Sequence, residues 1–124
     1  MNDLIKRLEN LLSQLAELQQ HLNLPAKQQR ILALEQQMQD PDFWTDNETA
    51  QKVSQEHSQL KSFSDFWQEL DNNATETLAL VKQNTDESPD TIHYLENQVE
   101  ELEQQYNKNR FVLLMSKKYD DHNA

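Results

Sequence analysis

The chain is predicted to be all-α: an antiparallel helical bundle or long helical hairpin of about four helical segments with coiled-coil-like seams. Three observations carry this. There is no glycine in 124 residues, where average usage of about 7% would give roughly nine, and the turns of tight β-hairpins want glycine at positive φ. The apolar residues recur at helical spacings of three and four, the pattern of an amphipathic helix. The three prolines, Pro25, Pro41 and Pro89, fall between the periodic runs as punctuation, because proline cannot continue a helix it does not start.

The first predicted helix covers about residues 2–22. Leu4, Leu8, Leu11, Leu15, Leu18 and Leu22 are spaced 4-3-4-3-4, the a/d seam of a coiled coil or bundle, and Leu12 widens the stripe. Asn23-Leu24-Pro25 is a break or kink, with Asn23 a candidate cap. The second predicted helix, about 26–39, places Ile31, Leu34 and Met38 on one face. The third, about 47–83, carries Val53, Leu60, Trp67, Ala74 and Val81 at seven-residue intervals, with Leu70 and Leu78 at the other seam position. Thr45-Asp46-Asn47-Glu48 offers several N-cap candidates at its start, and Thr45 with Glu48 matches a capping box. His57, Ser64 and Asp71 occupy alternate seam positions, so the seam is expected to loosen there or to shift towards Phe63 and Phe66. Asn72-Asn73 is its weakest point, a candidate kink. Residues 84–88 form a polar turn. Ser88 before Pro89 is a helix-start signature. The fourth predicted helix, about 89–117, carries Ile92, Leu95, Val99, Leu102 and Tyr106 at 3-4-3-4 spacing, with Leu113 one heptad on. Short links between such helices imply antiparallel neighbours.

The corner Gln39-Asp40-Pro41-Asp42-Phe43-Trp44 interrupts this pattern. Pro41 ends the preceding helix and pushes Asp40 towards an extended conformation. Phe43 and Trp44 are aromatics able to bury about 150–250 Å² each. They are therefore expected to be largely buried against the third and fourth helices, as a structural plug, with a ligand site as the alternative.

Composition excludes much. Without glycine there is no phosphate-binding loop, dinucleotide fingerprint or nucleophile elbow. Cysteine is absent, so no disulfide or thiolate metal site forms. Charged residues interrupt the leucines of the N-terminus, unlike a signal-peptide core, and the longest apolar run, Phe111–Met115, is far too short to span a bilayer. A soluble, cytoplasmic protein is expected, without membrane contact. The net charge of −11 is uneven: residues 1–40 carry four basic and five acidic side chains, net −1, and residues 41–124 carry seven and seventeen, net −10. Such a surface repels phosphate backbones, so no direct nucleic-acid binding is expected. It suits a basic protein partner or plain solubility.

No catalytic, cofactor-binding or metal residue is predicted. His21, His57, His93 and His122 are scattered without the spacing of a zinc site, and His57 is read as a core-edge histidine. Serines and threonines sit mostly at caps, with no adjacent base. Glu96, Glu100 and Glu103 share one helix face, with Glu101 beside them. They form either an acidic docking stripe or a solvated face, and the solvated face is the default.

Three stretches together resemble one family: Ala26-Lys27-Gln28-Gln29-Arg30-Ile31 leading to Leu34-Glu35; Asp40-Pro41-Asp42-Phe43-Trp44 followed by Ala50-Gln51-Lys52-Val53; and Phe111-Val112-Leu113-Leu114 with Ser116-Lys117-Lys118-Tyr119-Asp120. They are similar to the N-terminal helical domain of bacterial peptide chain release factor 2, a class-I release factor. The resemblance covers nearly all of the chain and is weakest over residues 71–88. It implies a role in translation termination at stop codons on the ribosome. It also implies a single helical domain, 1–124, that stops before the codon-reading and Gly-Gly-Gln domains of a longer parent. In the family this domain projects towards the stalk base of the large subunit, near the site of the class-II release-factor GTPase. No family site residue carries over, because the motifs with known roles are not in this sequence.

The alternative is a free-standing coiled-coil adaptor or chaperone-like hairpin. The Tyr119-Asp120-Asp121 segment, read as strand-like, speaks against it.

Overall fold

The computed structural model describes residues 2–123, with side chains over residues 2–113. The described elements are four helices, α1 (Asn2–His21), α2 (Leu24–Gln39), α3 (Asn47–Gln83) and α4 (Pro89–Asn123), and a 3₁₀ turn at Pro41–Thr45 between α2 and α3. The fold is all-α, with no strand among the described residues. The chain divides into two compact units, one of residues 1–15 and 70–124, the other of residues 16–69.

In the unit of residues 16–69, α1 stops at His21, one residue before the predicted end. Asn23 takes a left-handed backbone, φ 56° and ψ 48°, the one positive φ among the described residues. Asparagine tolerates this conformation because its short polar side chain adds little steric cost. In a glycine-free chain it fills the place where glycine commonly terminates a helix. Its side chain makes no cap bond to α2; its carbonyl accepts from Lys27 N instead. The Lys27 ammonium donates to the Leu22 carbonyl, one of those freed at the end of α1. α2 therefore begins at Leu24, two residues earlier than predicted, with Pro25 in the first turn, where its missing N–H is not needed. Leu24, Ile31, Leu34, Ala50, Ser64 and Trp67 are buried here. Trp67 meets Phe66 edge-on at 5.0 Å and Phe63 at 6.4 Å between centroids. The seam thus keeps its heptad anchor at Trp67, and the small Ser64 is buried one turn before it.

In the other unit, Leu4, Leu8, Leu11 and Leu15 of α1 are buried, as are Leu70, Ala74 and Val81 of α3 and Leu95, Val99, Leu102 and Tyr106 of α4. Each large side chain of this set contributes about 1.5–3 kcal/mol through burial. The kink expected at Asn72-Asn73 does not occur: α3 is continuous. Both asparagines are exposed, and an exposed asparagine costs a helix well under ~1 kcal/mol. The hydroxyls of Thr75 and Thr77 donate to the carbonyls of Asp71 and Asn73, at 2.9 and 2.8 Å.

The turn at residues 84–88 is closed by its own side chains. Asn84 Oδ1 accepts from Asp86 N at 3.1 Å, and Asp86 accepts from Ser88 N at 2.9 Å and Thr91 Oγ1 at 2.8 Å. Ser88 Oγ accepts from Thr91 N, with Pro89 opening α4. α4 continues to Asn123, beyond the predicted end at 117 and through Tyr119-Asp120-Asp121, whose backbone is helical rather than strand-like. No proline or glycine follows Pro89 to stop it.

Candidate functional site

The corner of residues 40–46 is an irregular segment held by its own hydrogen bonds. Asp40 is extended, ψ 124°, as a residue before proline must be. Its carbonyl accepts from Phe43 N and its carboxylate from Asp42 N, both at 3.0 Å. Thr45 Oγ1 donates to the Asp42 carbonyl at 2.6 Å. Asp46 then caps α3, accepting from Thr49 N at 3.4 Å and Thr49 Oγ1 at 2.7 Å. The Thr45–Glu48 capping box is therefore replaced by an Asp46–Thr49 pair, and aspartate is the stronger N-cap. The Thr49 hydroxyl, with the backbone N–H groups of Thr49 and Glu48, holds the Asp46 carboxyl below its ordinary value of 3.8.

The expected plug is not there. Trp44 is 53% exposed and Phe43 only half-buried. The cause is local: a 3₁₀ helix has about three residues per turn, so consecutive side chains diverge widely and cannot both face one core. The indole Nε1–H donates to the Met38 carbonyl at the end of α2, at 3.0 Å. The Phe43 ring stands edge-on to it, 4.9 Å between centroids at 88°.

A second feature lies in the unit of residues 1–15 and 70–124. Arg7 donates through Nε and Nη2 to the two carboxylate oxygens of Glu103, at 3.2 and 2.5 Å. This bond, with the fields of Glu103, Glu100 and Glu96, raises the Arg7 guanidinium further above its ordinary value. The acidic face of α4 is thus divided: Glu103 is half-buried in an ion pair, while Glu96, Glu100 and Glu101 remain exposed. Nothing in the sequence signals this pair.

The histidines do not converge. His57 Nε2 lies 3.0 Å from Glu35 Oε2, while His21 and His93 are exposed. The His122 side chain lies outside the described residues. Arg30 forks onto Glu56 at 2.9 and 3.2 Å, which draws the glutamate's carboxyl down. Among the described residues no group of three or more His, Cys, Asp or Glu is placed to hold a metal ion, and no helix is long and apolar enough to cross a membrane.

Comparison with known proteins matches residues 27–124 to the PCRF domain family. Over its whole length the chain is 32% identical to peptide chain release factor 2 of Exiguobacterium sp., covering 34% of that protein. It is 32% identical to that of Thermomicrobium roseum, over 94% of this chain and 31% of the relative. It is 31% identical to that of Chloroflexus aggregans, over 98% and 34%. The chain therefore spans about a third of the length of the curated relatives it matches. No solved structure matches it.

Proposed function

Since the chain belongs to the PCRF domain family, we propose that it acts in translation termination, as the N-terminal helical domain of a peptide chain release factor. One observation carries the reading: relatives bearing that name align along essentially the whole chain while extending to about three times its length. The domain has no catalytic part in this reading. With no glycine, the chain does not hold the Gly-Gly-Gln loop of the family, and hydrolysis belongs to another part of a longer protein. What remains for it is positioning. On this reading the domain works at the stalk base of the large ribosomal subunit, in the neighbourhood of the class-II release-factor GTPase. The net charge of −10 over residues 41–124 favours a protein contact there over an RNA contact.

The test has two parts. The reading frame that encodes the chain is expected to continue into a Gly-Gly-Gln segment, and a stop codon straight after Ala124 would overturn the assignment. In a reconstituted termination assay the 124-residue chain alone is expected to release no peptide. Release above background would show chemistry that this reading denies it.

A further inference from the structure

We infer that the corner around Trp44 is a preformed docking site for an arginine-bearing segment of a basic protein. The inference rests on the corner's chemistry and not on the family assignment.

The indole is already ordered. Pro41 and the hydrogen bonds of Asp40, Asp42, Thr45 and Trp44 itself fix the turn, and the Phe43 ring props the indole from one side. A half-exposed tryptophan is commonplace when it is loose. Here one hydrogen bond to the Met38 carbonyl and the edge-on Phe43 ring hold it rather than burial, so a ligand would bind without first paying to order it. Tryptophan in such a setting is the residue type most often dominant in protein contacts.

The internal hydrogen bond also decides what Trp44 can recognise. Its one polar atom, Nε1, is engaged by the Met38 carbonyl. The exposed part is therefore ring carbon and π face, which offers nothing to a hydrogen-bond acceptor. It suits an apolar group or a cation lying over the ring.

Charge selects the cation. Residues 40–48 contain Asp40, Asp42, Asp46 and Glu48 and no lysine or arginine. Asp40 and Asp46 are committed to the turn and the cap, but Asp42 and Glu48 are exposed. Glu48 reaches Lys52 only at 4.0 Å, on the open helix surface. A nucleobase could stack on the indole, but its phosphates would meet these carboxylates. A guanidinium satisfies both features at once, lying flat on the indole while its N–H fork turns to a carboxylate, which the compact ammonium of lysine cannot do.

The test is a titration of the 124-residue chain with three fluorescently labelled short peptides of equal length, rich in arginine, lysine or glutamate. Backbone amide shifts of residues 40–48 are read in parallel. The arginine peptide is expected to bind more tightly than the lysine peptide, the glutamate peptide not at all, with shifts centred on the corner. Trp44→Ala is expected to weaken arginine-peptide binding about tenfold. The double change Asp42→Asn with Glu48→Gln should weaken it less and flatten its salt dependence. Because Trp44 is exposed, circular dichroism of Trp44→Ala should match the parent; Trp44→Phe, which keeps a ring, should retain part of the affinity. Equal binding of the arginine and lysine peptides, binding unchanged by Trp44→Ala, or shifts centred elsewhere would each overturn the inference. So would tighter binding of an oligouridine RNA at the same corner.

Discussion

Arg7 and Glu103 stand 96 positions apart and meet through two parallel hydrogen bonds. This bidentate geometry is the strong form of an ion pair. Both side chains keep substantial contact with water, 40% and 31% exposed, so solvent screens most of the Coulomb gain. A double-mutant cycle on Arg7→Ala and Glu103→Ala is expected to give a coupling of about 0.2–1 kcal/mol. It should shrink as salt is raised from 0.05 to about 1 M, where the Debye length falls to about 3 Å. A coupling that ignores salt would mean the pair is far drier than described.

The two tryptophans should respond oppositely to truncation. Trp67 is 2% exposed, and Trp67→Ala should cost about 3–5 kcal/mol in urea denaturation. Trp44→Ala should stay within about 1 kcal/mol of the parent, as exposed substitutions do. Comparable losses at both sites would show the corner to be the plug that its composition suggests.

Asp46 and Asp86 tie helix starts to their turns, and both carboxyls are held below the ordinary value of 3.8, the first mainly by the Thr49 hydroxyl, the second mainly by Ser88 N–H. A carboxyl depressed in the folded state contributes its stability above its unfolded pKa and loses it as pH falls through the folded value. Asp46→Ala and Asp86→Ala should therefore lower the thermal midpoint at neutral pH. Their deficit against the parent should narrow once the pH drops below about 4. A deficit that stays constant down to about pH 2 would remove the ionised carboxylate from the argument.

The charge asymmetry gives a fourth expectation. In filter binding at low salt, the chain should retain no large-subunit RNA but should bind stalk-base proteins, with an association rate that falls as salt rises. Tight RNA binding without protein binding would contradict the proposed contact. Silence in both would leave the glutamates a solubilising role.

The heptad leucines and the Ser88-Pro89 start were legible because each is a local pattern whose physics lies within a few residues. Trp67 was legible as a seam residue for the same reason. Trp44 was misread because size argues for burial, while direction is set by the tight winding of the 3₁₀ turn and by the Met38 carbonyl, neither visible in composition. Asp46 is legible as one of several N-cap candidates in Thr45-Asp46-Asn47-Glu48, but its pairing with Thr49 is not, because a threonine at that spacing is not the Glu or Gln of a capping box. Arg7 against Glu103 had no local signal at all, because only the packing of α1 beside α4 makes them neighbours. The expected kink at Asn72-Asn73 failed because weak helix propensity yields to the buried residues on either side of it.

The chain holds two tryptophans, one dry and one half in water, and this gives it two intrinsic optical reporters. Trp67, shielded from solvent, should emit at shorter wavelength and resist iodide. Trp44 should emit further to the red, and a charged quencher should reach it, though the surrounding carboxylates would favour caesium over iodide. The emission maximum then follows global unfolding through Trp67, while the caesium-quenchable fraction follows events at the corner. Unfolding and docking can be separated in the same cuvette, without a label on the protein.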